Sequence, residues 1–109
     1  MRVIGIKTCS TCRQAMKDLA AGGKDPAFID LRKDGFSDAL LGEVLAAFGD
    51  RAVNRASATW RGLDEAARSR PPQELLAEYP ALLKRPAILA ETGNTLGWKD
   101  DARAAHLGK

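Results

Sequence analysis

Val3-Ile4-Gly5-Ile6-Lys7-Thr8-Cys9-Ser10-Thr11-Cys12 is the stretch whose reading decides the fold. Residues 2–6 read as a short buried strand, with Gly5 permitting close packing. Straight after the second cysteine, Ala15, Met16, Leu19 and Ala20 recur at the 3.6-residue period of a helix. A strand that runs into a Cys-x-x-Cys turn and then a helix aims a thiol at the helix N-terminus. Unpaired N–H groups and the aligned peptide dipoles there favour the thiolate. The thiolate is the attacking form, so this arrangement points to thiol chemistry.

Outward from this unit, Gly22-Gly23 stops the helix, because glycine adopts φ > 0 without a steric penalty. Pro26 to Leu31 reads as a second strand. The separation of about twenty residues from the first suits a crossover helix and is too long for a hairpin, which predicts a parallel, right-handed βαβ unit. Arg32-Lys33-Asp34-Gly35 reads as a turn. From Ser37, apolar Leu40, Leu41, Val44, Leu45 and Phe48 recur at helical spacing until Gly49. No alternating strand pattern occurs between Asp50 and Leu83. That segment is rich in Ala, Glu, Arg and Leu, which predicts short helices, one of them started by Pro71-Pro72 and carrying Leu75, Leu76 and Tyr79. Pro86 to Ala90 and Asn94 to Trp98 are strand candidates joined across Glu91-Thr92-Gly93, a hairpin-length connection. Lys99 to His106 reads as a closing helix. The order β-α-β, helices, β-β, α describes an α/β fold of thioredoxin-like layout, a four-stranded mixed sheet with flanking helices.

At 109 residues the chain reads as a single domain over 1–109, large enough for one ordinary core. Hydrophobic content of 45% and charged content of 28% fit a soluble globular class. No apolar run approaches the roughly 18 residues of a membrane span. Lys7 and the cysteines interrupt the first apolar stretch, so no export signal is expected. Two cysteines without such a signal suggest a reducing, cytoplasmic setting. The net charge of +3 comes from scattered basic residues, which argues against nucleic acid as a direct partner.

The residues resemble the arsenate reductase-like family (ArsC, Spx and YffB-type proteins) of the thioredoxin superfamily. The matching words are Gly5-Ile6-Lys7-Thr8-Cys9-Ser10-Thr11-Cys12, Asp34-Gly35, Asn54-Arg55-Ala56-Ser57-Ala58-Thr59-Trp60-Arg61-Gly62-Leu63-Asp64-Glu65, Leu83-Lys84-Arg85-Pro86 and Leu96-Gly97-Trp98. They span almost the whole chain in the family's order and are closest to the YffB-type branch. The resemblance implies a helical insertion between the second and third strands, here about residues 37–83. It also implies a cis bond before Pro86, in a loop facing the active cysteine.

Cys9 is the expected nucleophile, with Lys7 and Arg13 close by to lower its pKa further. Cys12, three residues on, shares its helix face and could resolve an adduct on Cys9 as a disulfide. Small core fillers or half of a zinc site are the bland alternatives. Zinc wants four ligands, and no second Cys pair or His pair exists, so no metal is expected. The resemblance places Arg55 and Arg85 where an oxyanion or a substrate carboxylate is held, a task suited to planar guanidinium forks. It places a peptide or glutathione dock beside Pro86, and Trp60 and Arg61 are candidates for the same cleft. Arsenate reductases carry a third arginine where this chain reads Leu96-Gly97-Trp98-Lys99; Lys99 cannot copy a bidentate clamp, which counts against arsenate. His106, Glu65, Arg68 and the Asp100-Asp101 pair read as solvated.

The expected function is that of a thiol-dependent oxidoreductase acting on a small-molecule thiol or oxyanion substrate. It would carry no bound cofactor, with glutathione as cosubstrate and re-reduction by a cellular thioredoxin or glutaredoxin system. The alternative is an Spx-like redox-sensing regulator that binds RNA polymerase. The Cys-x-x-Cys unit cannot separate the two, although the short Gly49-to-Arg55 spacing counts against the regulator.

Overall fold

A computed structural model describes residues 1–108. Strand β1 (Arg2–Gly5) leads into α1 (Ser10–Ala21), and β2 (Ala27–Asp30) returns parallel to β1, with Gly5 opposite Asp30. The helix ends as its glycines require: Lys24 N–H donates to Leu19 O at 2.9 Å, and Gly23 turns the chain at φ +79°. β3 (Ala87–Ala90) pairs antiparallel to β1, and β4 (Gly93–Leu96) antiparallel to β3, which gives the order β2-β1-β3-β4.

Between β2 and β3 lie α2 (Leu31–Asp34), α3 (Asp38–Phe48), α4 (Ala58–Arg61), α5 (Glu65–Arg68) and α6 (Pro72–Glu78), with 3₁₀ turns at Gly49–Ala52 and Pro80–Leu82. The Ser37 side chain caps α3 by accepting from the Leu40 N–H at 3.2 Å. The expected turn at 32–35 is instead the helical turn α2. Its cause is Asp30, whose carboxylate accepts from the Arg32 N–H at 3.0 Å and starts a helix where β2 ends. The strand-poor insertion does contain one pairing, an antiparallel bridge between Val53 and Leu83.

The sheet's pleat divides the core. Ile4, Ala87 and Leu89 face α3, α6 and the 3₁₀ turns, packing with Leu41, Val44, Leu76 and Leu82. Val3 and Ile88 face the other way, onto Ala15 and Leu19 of α1 and onto Trp98 and Ala102 beside or within α7 (Asp100–Leu107). Asp18 of α1 ties this second layer together, accepting from Trp98 Nε1 at 2.8 Å and from Arg103 at 2.6 Å.

His106 is the clearest departure from expectation. It is 1% exposed, not solvated: its two ring nitrogens meet Thr92 Oγ1 and Thr95 Oγ1 at 2.8 Å each, and its ring stacks on Trp98. The α7 turn carries it under the β3–β4 hairpin, where two hydroxyls replace water. Desolvation by burial holds its pKa below the ordinary imidazole value. No described helix is long and apolar enough to cross a membrane.

Candidate active site

The chain leaves β1 through Lys7 and Thr8, and Cys9 becomes the N-cap of α1 with extended φ −74° and ψ 121°. Its own N–H is taken by Ile6 O at 2.9 Å, and its carbonyl accepts the first helical bond from the Arg13 N–H at 3.0 Å. The sulfur therefore sits over the open end of a 12-residue helix. Cys9 is partly exposed and Cys12 fully buried, and both are free thiols.

The two sulfurs differ in character. Partial burial opposes charge on Cys9, but four groups outweigh it: the Cys12 N–H, the Cys12 thiol, the Arg85 guanidinium and the Thr11 N–H. The net result is a pKa below the ordinary thiol value, as a helix N-terminus with a nearby cation should produce. Burial pushes Cys12 the other way, up to about 12; the N–H at Ile6 lowers it only in part, and the hydrogen bond and charge of Cys9 raise it further. Cys12 thus stays protonated, and its thiol is one of the groups that favour charge on the Cys9 sulfur. The space for this sulfur comes from Gly5. A Cβ at position 5 would overlap Cys12 Sγ, while meeting Cys12 Cβ at 3.4 Å and Phe28 Cε1 at 3.6 Å.

Arg85 is half-buried, bears on both cysteines, and has neither an ion-pair nor a hydrogen-bond partner among the described residues. The Arg85–Pro86 peptide is cis, Pro86 is fully buried, and its carbonyl accepts from the Gly97 N–H at 2.9 Å. Arg55 lies elsewhere: its guanidinium pairs with Asp50 at 2.7 Å and covers the Trp60 ring at 5.2 Å. Arg68 is exposed, as expected, and from the surface it also lies over Trp60, at 5.7 Å, and donates to the carbonyls of Trp60 and Arg61.

Lys7 and Arg13 are exposed and are not among the groups that act on the Cys9 sulfur. They instead rim a cavity of about 430 Å³ beside Cys12, floored by Met16 and Phe28 and completed by Asp30, Lys33 and Asp34. Sequence reading missed Phe28 and Lys33. The signal was the parallel pairing itself, since two parallel strands in register end together and bring the loops at their C-terminal ends side by side.

A strand, a cysteine turn and a helix N-terminus facing a cis-proline loop, on a sheet of order β2-β1-β3-β4, define a thioredoxin-like protein. The ArsC family model matches residues 4–105, and the chain belongs to that family. It is 37% identical over 103 residues to an uncharacterized protein of Haemophilus influenzae, covering 90% of each chain. Among solved structures, a protein named YFFB superposes with a TM-score of 0.84 at 32% identity, covering 97% of each chain. The solution structure of an arsenate reductase (ArsC) related protein from Brucella melitensis gives 0.74 at 30%, covering 96% of this chain and 92% of the other.

Proposed function

We propose that this protein is a thiol-dependent oxidoreductase with Cys9 as nucleophile, working in a reducing cytoplasm with glutathione as cosubstrate and no bound cofactor. The observation that carries the reading is the pairing of a partly exposed sulfur at a helix N-terminus with the unpartnered guanidinium of Arg85. A thiolate needs such surroundings to attack at neutral pH, and a free planar fork beside it suits the carboxylate or oxyanion of an oxidised substrate.

In the proposed cycle the Cys9 thiolate attacks one sulfur of a disulfide. The S–S bond breaks, the distal sulfur leaves as a thiolate, and Cys9 holds a mixed disulfide. Glutathione then attacks the substrate-side sulfur, releasing Cys9 as a thiolate and carrying off the substrate half as a disulfide with glutathione. That product is reduced in turn by a cellular thioredoxin or glutaredoxin system. Burial of Cys12 and its protonated state favour an external resolving thiol over an internal bridge. Lys7, Arg13, Arg85 and the backbone beside Pro86 are the proposed substrate contacts. Arg55 joins them if it leaves Asp50.

The test is a glutathione-coupled reductase assay on Cys9→Ser. Turnover should disappear while the circular dichroism spectrum stays unchanged; undiminished turnover would remove the proposal. Pull-down of an RNA polymerase α subunit by the wild-type protein, without reductase activity, would favour a regulator instead.

A further inference from the structure

β4 is the last strand of the sheet, so one of its edges has no neighbouring strand. One bond fixes which backbone groups that edge offers. The Gly97 N–H donates to Pro86 O at 2.9 Å, and antiparallel ladders alternate, so Thr95 and Gly93 also turn toward β3. Asn94 and Leu96 therefore direct their N–H and C=O groups outward, and no loop or helix among the described residues bonds to them. Such an edge is a template for another strand.

This edge borders a cavity of about 490 Å³, with residues 94–96 on one side and Phe48, Val53 and residues 54–56 on the other. Its charge is one-sided: Arg51, Arg55 and Lys84 face a single carboxylate within the lining, Asp101. Arg55 is already paired with Asp50, which lies outside the lining, whereas Arg51 and Lys84 have no carboxylate partner among the described residues. Phe48, Val53 and Leu96 supply apolar surface between the charges. A second copy pairing edge to edge through this groove would bring the same cations to it and be repelled.

We propose that the free edge of β4 binds an extended acidic peptide segment by strand addition. The peptide backbone pairs with Asn94 and Leu96, and the carboxylates on its groove-facing side chains meet Arg51 and Lys84, while the alternate side chains point to the other face of the sheet. Neither cysteine lines this cavity, and of the proposed substrate contacts only Arg55, held here by Asp50, does, so the proposal does not need the thiol chemistry.

The test titrates ¹⁵N-labelled full-length Cys9→Ser protein with three capped pentapeptides. These are Glu-Val-Glu-Val-Glu, its lysine counterpart, and the glutamate peptide carrying N-methyl groups on alternate amides. The glutamate peptide should bind, with amide shifts concentrated at Asn94–Leu96 and residues 51–56. N-methylation, which removes pairing but keeps charge, should weaken binding by about tenfold or more, as should Lys84→Glu or Arg51→Glu. The lysine peptide should not bind. Equal binding by the N-methylated peptide would show that the groove captures charge alone and would overturn strand addition. Shifts confined to another surface, a change limited to dimerisation, or no binding of the glutamate peptide would overturn the proposal as well.

Discussion

Gly5→Ala places one methyl group where the structure has no room for it. Built on the β1 backbone, that carbon interpenetrates Cys12 Sγ, although its contacts to Cys12 Cβ and Phe28 Cε1, at 3.4 and 3.6 Å, are ordinary. Strand β1 pairs with β2 through Gly5 itself and with β3 through the adjacent Ile4, which holds the backbone in place. The sulfur must move instead, and it is fully buried, so displacement means overpacking at a cost of ~1–3 kcal/mol. A displaced Cys12 also takes its thiol away from Cys9, so the Cys9 pKa should rise. The assay is a double-mutant cycle of Gly5→Ala and Cys12→Ala read by urea unfolding, with the thiolate absorbance of Cys9 followed against pH. Removing Sγ alone leaves a small void and costs about 1 kcal/mol, but in the Gly5→Ala background it vacates the space the new methyl needs. The double variant should therefore be more stable than Gly5→Ala alone. An unperturbed Gly5→Ala, or a double variant in which the two costs simply add, would refute the reasoning.

The same geometry makes three further outcomes testable. Iodoacetamide near neutral pH should label Cys9 alone in the native protein, because Cys12 is buried and pushed up to about 12; mass spectrometry should find the second label only after unfolding. Arg85→Ala should move the midpoint of the Cys9 alkylation profile to higher pH by removing a positive charge, whereas Arg85→Lys should move it less; an unmoved midpoint in the alanine variant contradicts the electrostatic role. His106 has a folded pKa below its ordinary value of 6.5, so the unfolded chain takes up a proton there before the folded one does. Urea stability should accordingly be insensitive to this group above pH 6.5 and fall as pH drops below it, and His106→Asn should lose that slope.

Much of the molecule is local in origin. The Cys-x-x-Cys turn between a strand and a helix, the helical spacing from Ser37 and the stop at Gly22-Gly23 each depend on residues within a few positions of one another, and each was legible in the chain. The four-residue helix α2 was less so, because Asp30 serves both as the last residue of β2 and as a helix cap. Trp60 shows the same limit: Arg55 before it and Arg68 after it in the insertion both cover its ring, which no periodicity could indicate.

Sequence alone determined the order of elements, the faces of α1 and α3, and Cys9 as the reactive candidate, because apolar period and capping chemistry act over one or two turns. Tertiary structure decided the rest. It made Cys12 a buried thiol by seating it on Gly5, brought Arg85 to the sulfur from a loop far along the chain, and turned His106 from a tail residue into a core one. Those outcomes depend on strand register and on which face a distant element covers, and burial and charge then act across contacts that adjacent residues do not encode.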